Sequence, residues 1–252
     1  MANRQQLLAA FDSLLQPERF KDFGPNGLQL EGKASVARIV SGVTASLALI
    51  DAAVAARADA IFVHHGLFWR GQDGRVTGWM KQRLAPLFAH DINLFAYHLP
   101  LDAHPELGNN AQLALRIGLR PSGRFGEQDL GFLGERNDGD AFADASALAS
   151  HLQLVLGRSV VQVGRPAAPI RKIAWCTGGA QGYFEDAIAA GADAFITGEI
   201  SEPQAHYARE CNVAFFACGH HATERYGAPA VAAQVAAQFG IEHQFIDIDN
   251  PA

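Results

Sequence analysis

Apolar and polar positions follow two alternating rhythms along this chain. Short apolar runs at Arg38–Val43 (RIVSGV), Ala60–Val63 (AIFV) and Asn93–Tyr97 (NLFAY) predict buried strands. Between and after them, Leu47–Arg57, Trp79–Ala89 and Asn109–Ile117 space their apolar residues as helices do, and Gly118 ends the last of these. The opening residues, MANRQQLLAAFDSLLQ, predict an amphipathic helix rather than a signal peptide. The succession then returns. Strands are expected at Ile170–Cys176, Ala194–Thr197, Val213–Ala217 and His243–Ile248, and helices at Tyr183–Ala190, Glu202–Arg209 and Ala230–Phe239. Arg120–Ala168 lies between, Gly- and Pro-rich at both ends, with a helix expected at Ala145–Leu156 and a strand at Val160–Val163. Strands separated by helices predict βαβ units and an α/β fold.

The return is an internal repeat. Shifted by 134 positions, Arg38–His65 lies over Lys172–Glu199 without a gap, and Ala58-Asp59-Ala60 meets Ala192-Asp193-Ala194. Two similar α/β lobes follow, expected at residues 1–125 and 126–252, with terminal elements open to exchange between them.

Composition narrows the class. With 252 residues, 49% hydrophobic and 18% charged, the chain is globular, not disordered. A net charge of −6 and the lack of a basic stripe argue against duplex nucleic acid as its main partner. Asp51, Arg57 and Asp59 interrupt the apolar runs, so no membrane span is expected. Three cysteines, Cys176, Cys211 and Cys218, do not make a disulfide framework and fit a reducing cytoplasm.

Ten histidines are a rich supply, and several stand where α/β folds build sites, at the carboxyl ends of strands. His64 and His65 follow AIFV. They read as metal ligands or as solvated loop residues. His98 and Asp102 follow NLFAY in HLPLDAH, as ligands, as a base with its orienting acid, or with Asp102 capping a helix near Pro105. His220 and Glu224 follow VAFFA in CGHHATERYG, four residues apart and so on one helical face. His64, His65, Asp102, His220 and Glu224 together form a mixed nitrogen and oxygen ligand set. It suits two divalent ions better than one structural zinc. Zn, Mn, Fe, Co and Ni all accept such donors. Under the repeat Glu199 falls on His65, as a proton-handling or supporting group or as a surface carboxylate. The glycines of TGGAQGY (Thr177–Tyr183) join a strand to a helix, where they can serve a tight turn or expose peptide N–H groups to an anion.

These residues resemble the GTP cyclohydrolase I type 2 homologues, the NIF-three-like dinuclear-metal family. The matching stretches are NGLQLEG (Asn26–Gly32), VHHGLFW (Val63–Trp69), His98–Leu119, Val163–Phe184, DAFITGEIS (Asp193–Ser201) and CGHHATERYG (Cys218–Gly227). The resemblance implies two intertwined α/β/α lobes with a dinuclear metal site in the cleft between them. Its ligands would be His64, His65, Asp102, His220 and Glu224, with His98 beside the site. It also implies a ring-shaped homohexamer. Leu99 stands where the family usually has Thr, which removes a hydroxyl near the site. The chemistry this points to is hydrolysis by metal-activated water, with GTP or a related nucleotide as candidate substrate and His98 or Glu199 moving protons. The competing readings are a non-catalytic metal-binding regulatory protein and a metal-dependent phosphoester hydrolase.

Overall fold

The computed structural model describes residues 1–165 and 167–252; Pro166, inside the Val163–Phe184 stretch, lies outside the described residues. From the amino terminus the chain forms β1 (Ala2–Asn3), α1 (Arg4–Leu15), β2 (Gly27–Leu30), β3 (Ser35–Val36) and β4 (Arg38–Thr44). It continues through α2 (Leu47–Ala55), β5 (Ala60–His65), α3 (Gly78–Ala89), β6 (Asn93–Ala96) and α4 (Leu99–Ala103). Then come α5 (Asn109–Ile117), β7 (Leu119–Phe125), β8 (Gly131–Arg136), α6 (Ala145–Leu156), β9 (Val161–Val163) and β10 (Ile173–Trp175). The last stretch holds α7 (Phe184–Ala189), β11 (Ala194–Thr197), α8 (Glu202–Glu210), β12 (Ala214–Ala217), α9 (His220–Glu224), α10 (Gly227–Phe239) and β13 (Glu242–Phe245). The chain is α/β, as its pattern predicts.

It divides into two compact units, Met1–Gly108 with Arg225–Asp249, and Asn109–Glu224 with Asn250–Ala252. The expected boundary at 125/126 is therefore corrected to 108/109. Strand β7 pairs antiparallel with β8 along Leu119–Phe125, which commits that segment to the second unit. After Glu224 the chain returns to the first unit, where β13 pairs with β4.

The first unit is built on a five-stranded sheet in the order β13-β4-β5-β6-β2, parallel except for β2 at the edge. Successive strand residues point to opposite faces. Val40, Ile61, Val63 and Leu94 pack with Leu49, Ile50, Met80 and Leu84 of α2 and α3. Ile39, Ala60, Phe62 and Phe95 pack with Leu7 and Phe11 of α1 and Val231 and Val235 of α10. Each fully buried Phe or Leu contributes about 1.5–3 kcal/mol.

The second unit has a six-stranded sheet, β7-β8-β10-β11-β12-β9, with a parallel centre of β10, β11 and β12. Phe184 of α7 lies 5.8 Å from Phe195 and 4.9 Å from Phe215, ring centre to ring centre. Helix α6 buries Leu148, Leu152 and Leu156, with Asp144 accepting from the Ala147 N–H at its start.

The repeat survives as register. Ile39 pairs with Ala60, and Ile173 with Ala194, 134 positions on. The shared aspartate has the same task in both units. Asp59 Oδ2 accepts from the Ala37 and Arg38 N–H groups at 2.9 and 3.2 Å. Asp193 Oδ2 accepts from those of Arg171 and Lys172 at 2.9 and 3.0 Å. Burial opposes ionisation of both carboxyls, but these bonds and the nearby Lys33 or Arg165 outweigh it and hold both below their ordinary value. Among the described residues no helix is long and apolar enough to cross a membrane.

Candidate metal centre

In the first unit the chemistry gathers at the carboxyl ends of β5 and β6. Strand β5 runs through His65 rather than stopping before the histidines. The His64 and His65 ring centres are nonetheless 4.4 Å apart, and His98 stands 4.9 Å from His64 and 5.7 Å from His65. One ring nitrogen from each of the three lies within 4.8 Å of the others, a grouping able to hold a metal ion. Past β6 the HLPLDA segment is not a loop. It forms α4, with Pro100 in its first turn, where a missing N–H costs nothing. That turn buries Asp102 and sets its Oδ1 3.5 Å from His64 Nε2. Asp102 therefore belongs to a helix itself and does not cap one near Pro105; the next helix begins at Asn109.

The imidazoles are held by their other nitrogens. His64 is buried, and its Nδ1 donates to the Tyr97 carbonyl at 3.1 Å, which turns Nε2 toward Asp102. His65 Nδ1 meets the Thr44 hydroxyl at 3.0 Å. His98 Nδ1 meets Asp22 Oδ1 at 2.7 Å. The Asp22 carboxylate also accepts from the N–H groups of Phe23 and Leu99 and from the Asn26 side chain. Burial raises the pKa of Asp22, yet the bonds from His98, Asn26 and Phe23 prevail and hold it below the usual carboxylate range. Leu99 is buried, and its contribution here is that peptide N–H.

In the second unit the ends of β10, β11 and β12 carry the matching cluster. Helix α9 puts His220 Nε2 3.1 Å from Glu224 Oε2, the one-turn spacing that the sequence predicts. Glu199, just past β11, takes His220 Nδ1 at 2.6 Å and is itself reached by Gln181 Nε2 at 3.4 Å. The bond to Glu224 raises His220 most; burial opposes it, Glu199 adds to it, and the imidazole is pushed up to about 9. This is a pocket that stabilises positive charge. The glycine-rich turn closes tightly against that pocket. Gly178 has φ +71°, and a Cβ there would fall 1.9 Å from Glu224 Oε1. The N–H groups of Thr177 and Gly178 are given to Asn110 Oδ1 and Thr223 Oγ1.

Asp22, Thr44 and Asn110 are the supporting residues that sequence reading misses. The signal for Asp22 is an acid four residues before Asn26 in DFGPN, a spacing at which Asn26 Nδ2 donates back to Asp22 Oδ2 at 2.9 Å.

Comparison with known proteins shows the family. The Duf34/NIF3 (NGG1p interacting factor 3) family model matches residues 2–251, and the chain belongs to that family. A Neisseria meningitidis serogroup A protein named GTP cyclohydrolase 1 type 2 homolog is 51% identical over the whole of both chains. A Pseudomonas aeruginosa protein of the same name is 51% identical over 98% of this chain and 97% of its own. Among solved structures, one titled "Structural genomics, protein ybgI, unknown function" superposes with a TM-score of 0.94 at 44% identity, covering both chains fully.

Proposed function

We propose that this chain is a metal-dependent hydrolase that holds two divalent ions and opens the ring of a purine nucleotide, with GTP as candidate substrate. The observation that carries the reading is the way the imidazoles are mounted. His64, His65, His98 and His220 are each anchored through Nδ1, to a carbonyl, a hydroxyl or a carboxylate. This second-layer anchoring is what metal-binding histidines need. The donors are nitrogen and oxygen only, in keeping with Zn, Mn, Fe, Co or Ni. The name carried by the relatives supports the choice of GTP.

His64, His65, Asp102, His220 and Glu224 would hold the ions. When bound, they supply Lewis acidity and lower the pKa of a coordinated water. His98 is the proton carrier at Nε2, because its Nδ1 bond to Asp22 fixes its tautomer and orientation. Water adds across a C=N bond of the purine imidazole ring, hydroxyl to carbon and proton to nitrogen; the bond from that carbon to the other ring nitrogen then breaks, the hydroxyl becomes a carbonyl, and its proton passes through His98 to the departing nitrogen. Glu199 orients His220 and, being partly exposed, passes protons to solvent.

The test is a screen of metal-analysed protein against GTP, other purine nucleotides and phosphoesters, with Asp102→Ala as control. Turnover of a purine nucleotide that Asp102→Ala abolishes is expected. Turnover unchanged in Asp102→Ala contradicts the ligand assignment, and bound metal without any turnover favours a non-catalytic metal-binding protein. The proposal extends to a cytoplasmic homohexamer, on the family resemblance. A concentration-independent monomer in light scattering removes that part.

A further inference from the structure

Beside His98 the first unit has a cavity of about 300 Å3, lined by Phe23, Pro25, Phe68, Trp69, Arg70 and Asp22. That is the lower end of the range for small-molecule pockets, roughly 300–1,000 Å3. Two loops form it, and they are strapped together. The Arg70 N–H donates to the Phe23 carbonyl at 2.6 Å, and Arg70 NH2 to the Asp22 carbonyl at 2.5 Å. The aromatic rings converge on the proton carrier. Trp69 stands edge-on to His98 with ring centres 5.0 Å apart, and Phe23 does so at 6.0 Å. Phe23 is 60% exposed, so its ring faces solvent with little packing to hold it there. Phe68 packs against the apolar core of the unit and the Arg70 guanidinium ties the loops, but neither task accounts for the exposed Phe23 ring at the same cavity.

We propose that Phe23, Phe68, Trp69 and Arg70 form the seat for a planar heteroaromatic ring, the purine base of the substrate. This rests on the hydrolase reading above and gives that site its recognition element. Aromatic faces bind bases by stacking, worth roughly 1–3 kcal/mol per base, and a guanidinium adds its own planar face and positive charge. Arg70 at the rim also speaks against a quaternary ammonium ligand, which three aromatic rings would otherwise suit. A ring resting against Trp69 and Phe23 is next to His98, where the base has to be for its ring to be opened. The pocket therefore binds the part of the nucleotide that reacts, while the phosphates extend away from it.

The experiment is calorimetric titration of the full-length, metal-loaded protein with guanosine and, separately, with ribose 5-phosphate. Wild type is compared with Trp69→Ala, Trp69→Phe and Phe23→Ala, with metal content measured in each. Guanosine is expected to bind wild type and to lose roughly tenfold or more in Trp69→Ala, in line with one lost stacking partner. Trp69→Phe should recover most of the loss, and ribose 5-phosphate should bind all four alike. Phe23→Ala removes an exposed ring and keeps the test open if Trp69→Ala fails to fold; it should weaken guanosine severalfold. Guanosine that binds no form, or binds wild type and Phe23→Ala equally, overturns the proposal. Base binding lost in the variants, with no nucleotide hydrolysed by wild type, keeps the pocket and removes the hydrolase reading. GTP hydrolysis with unchanged KM in the variants does the reverse.

Discussion

The two units share one strand–helix–strand frame and finish it with different chemistry. In both, an aspartate at the foot of the second strand, Asp59 or Asp193, gathers two backbone N–H groups at the start of the first. At the head of that strand they part. The first unit has His64 and His65 there, and the second has Gly198 and Glu199. A Cβ at position 198 would lie 2.6 Å from the His220 Cα, so glycine is what lets α9 come in and supply the imidazole. Glu199 then anchors His220 Nδ1, the service that Thr44 performs for His65. The duplicated frame fixes the backbone, and two residues after it decide whether a strand end gives imidazoles directly or supports an imidazole from the next helix.

The sharpest way to break this comparison is at positions 44 and 178, equivalent under the repeat. Gly178→Ala places a methyl group against Glu224 and forces alanine into a left-handed conformation, about 1–2 kcal/mol for the backbone alone. Metal affinity should fall roughly 10–100-fold, as when the support of a ligand is lost. Metal titration and thermal melting together check this, and a Gly178→Ala protein with wild-type affinity would show that the turn does not serve the pocket.

Next in size are the paired aspartates. Asp59→Ala and Asp193→Ala should each cost about 1–3 kcal/mol, because two backbone N–H groups lose a charged acceptor. Denaturant unfolding should give similar losses; a large loss in one and none in the other would mean that the two frames are held differently. The pH dependence follows from sign. Both carboxyls titrate below the ordinary 3.8 when folded, so their contribution is full above that value and is lost as pH falls through the folded pKa. The gap between wild type and either variant should therefore narrow below about pH 3.8 and stay constant near neutrality. A gap that widens in acid has the wrong sign for this account. Smallest is Thr44→Val, which removes one hydrogen bond to His65, about 1 kcal/mol, and should weaken metal binding less than Gly178→Ala does.

What could be read in the sequence follows from the range of the interactions involved. Helix α5 lies at Asn109–Ile117, as its local periodicity predicts, and the His220–Glu224 pair is a spacing within one helical turn. Strands β7 and β8 escape notice because LRPSGRF is apolar mainly at its ends, and GFLGER is short and broken by Gly134. Their pairing places Leu119–Phe125 in the second unit, so the boundary also escapes a reading by halves. Asp22 lies 76 residues from His98, and no local pattern joins an acid in a turn to a histidine beyond a strand. Glu199 is legible as a position, from the repeat, but its hold on His220 Nδ1 depends on tertiary packing. His104 is half-buried and accepts the Glu106 and Leu107 N–H groups at its Nδ1. It closes a turn with its side chain, a role that leaves no mark in hydropathy.

We propose above that His64, His65, Asp102, His220 and Glu224 hold divalent metal. Elemental analysis of gently purified protein, wild type beside Glu224→Ala, tests it most directly, with circular dichroism melts to report the fold. Two divalent ions per wild-type chain are expected. In Glu224→Ala metal should be lost and the fold kept, since the apolar cores of the two units do not depend on Glu224. Glu224→Ala protein that retains both ions would contradict it, and so would wild-type protein that takes up none after loading with Zn, Mn, Fe, Co or Ni.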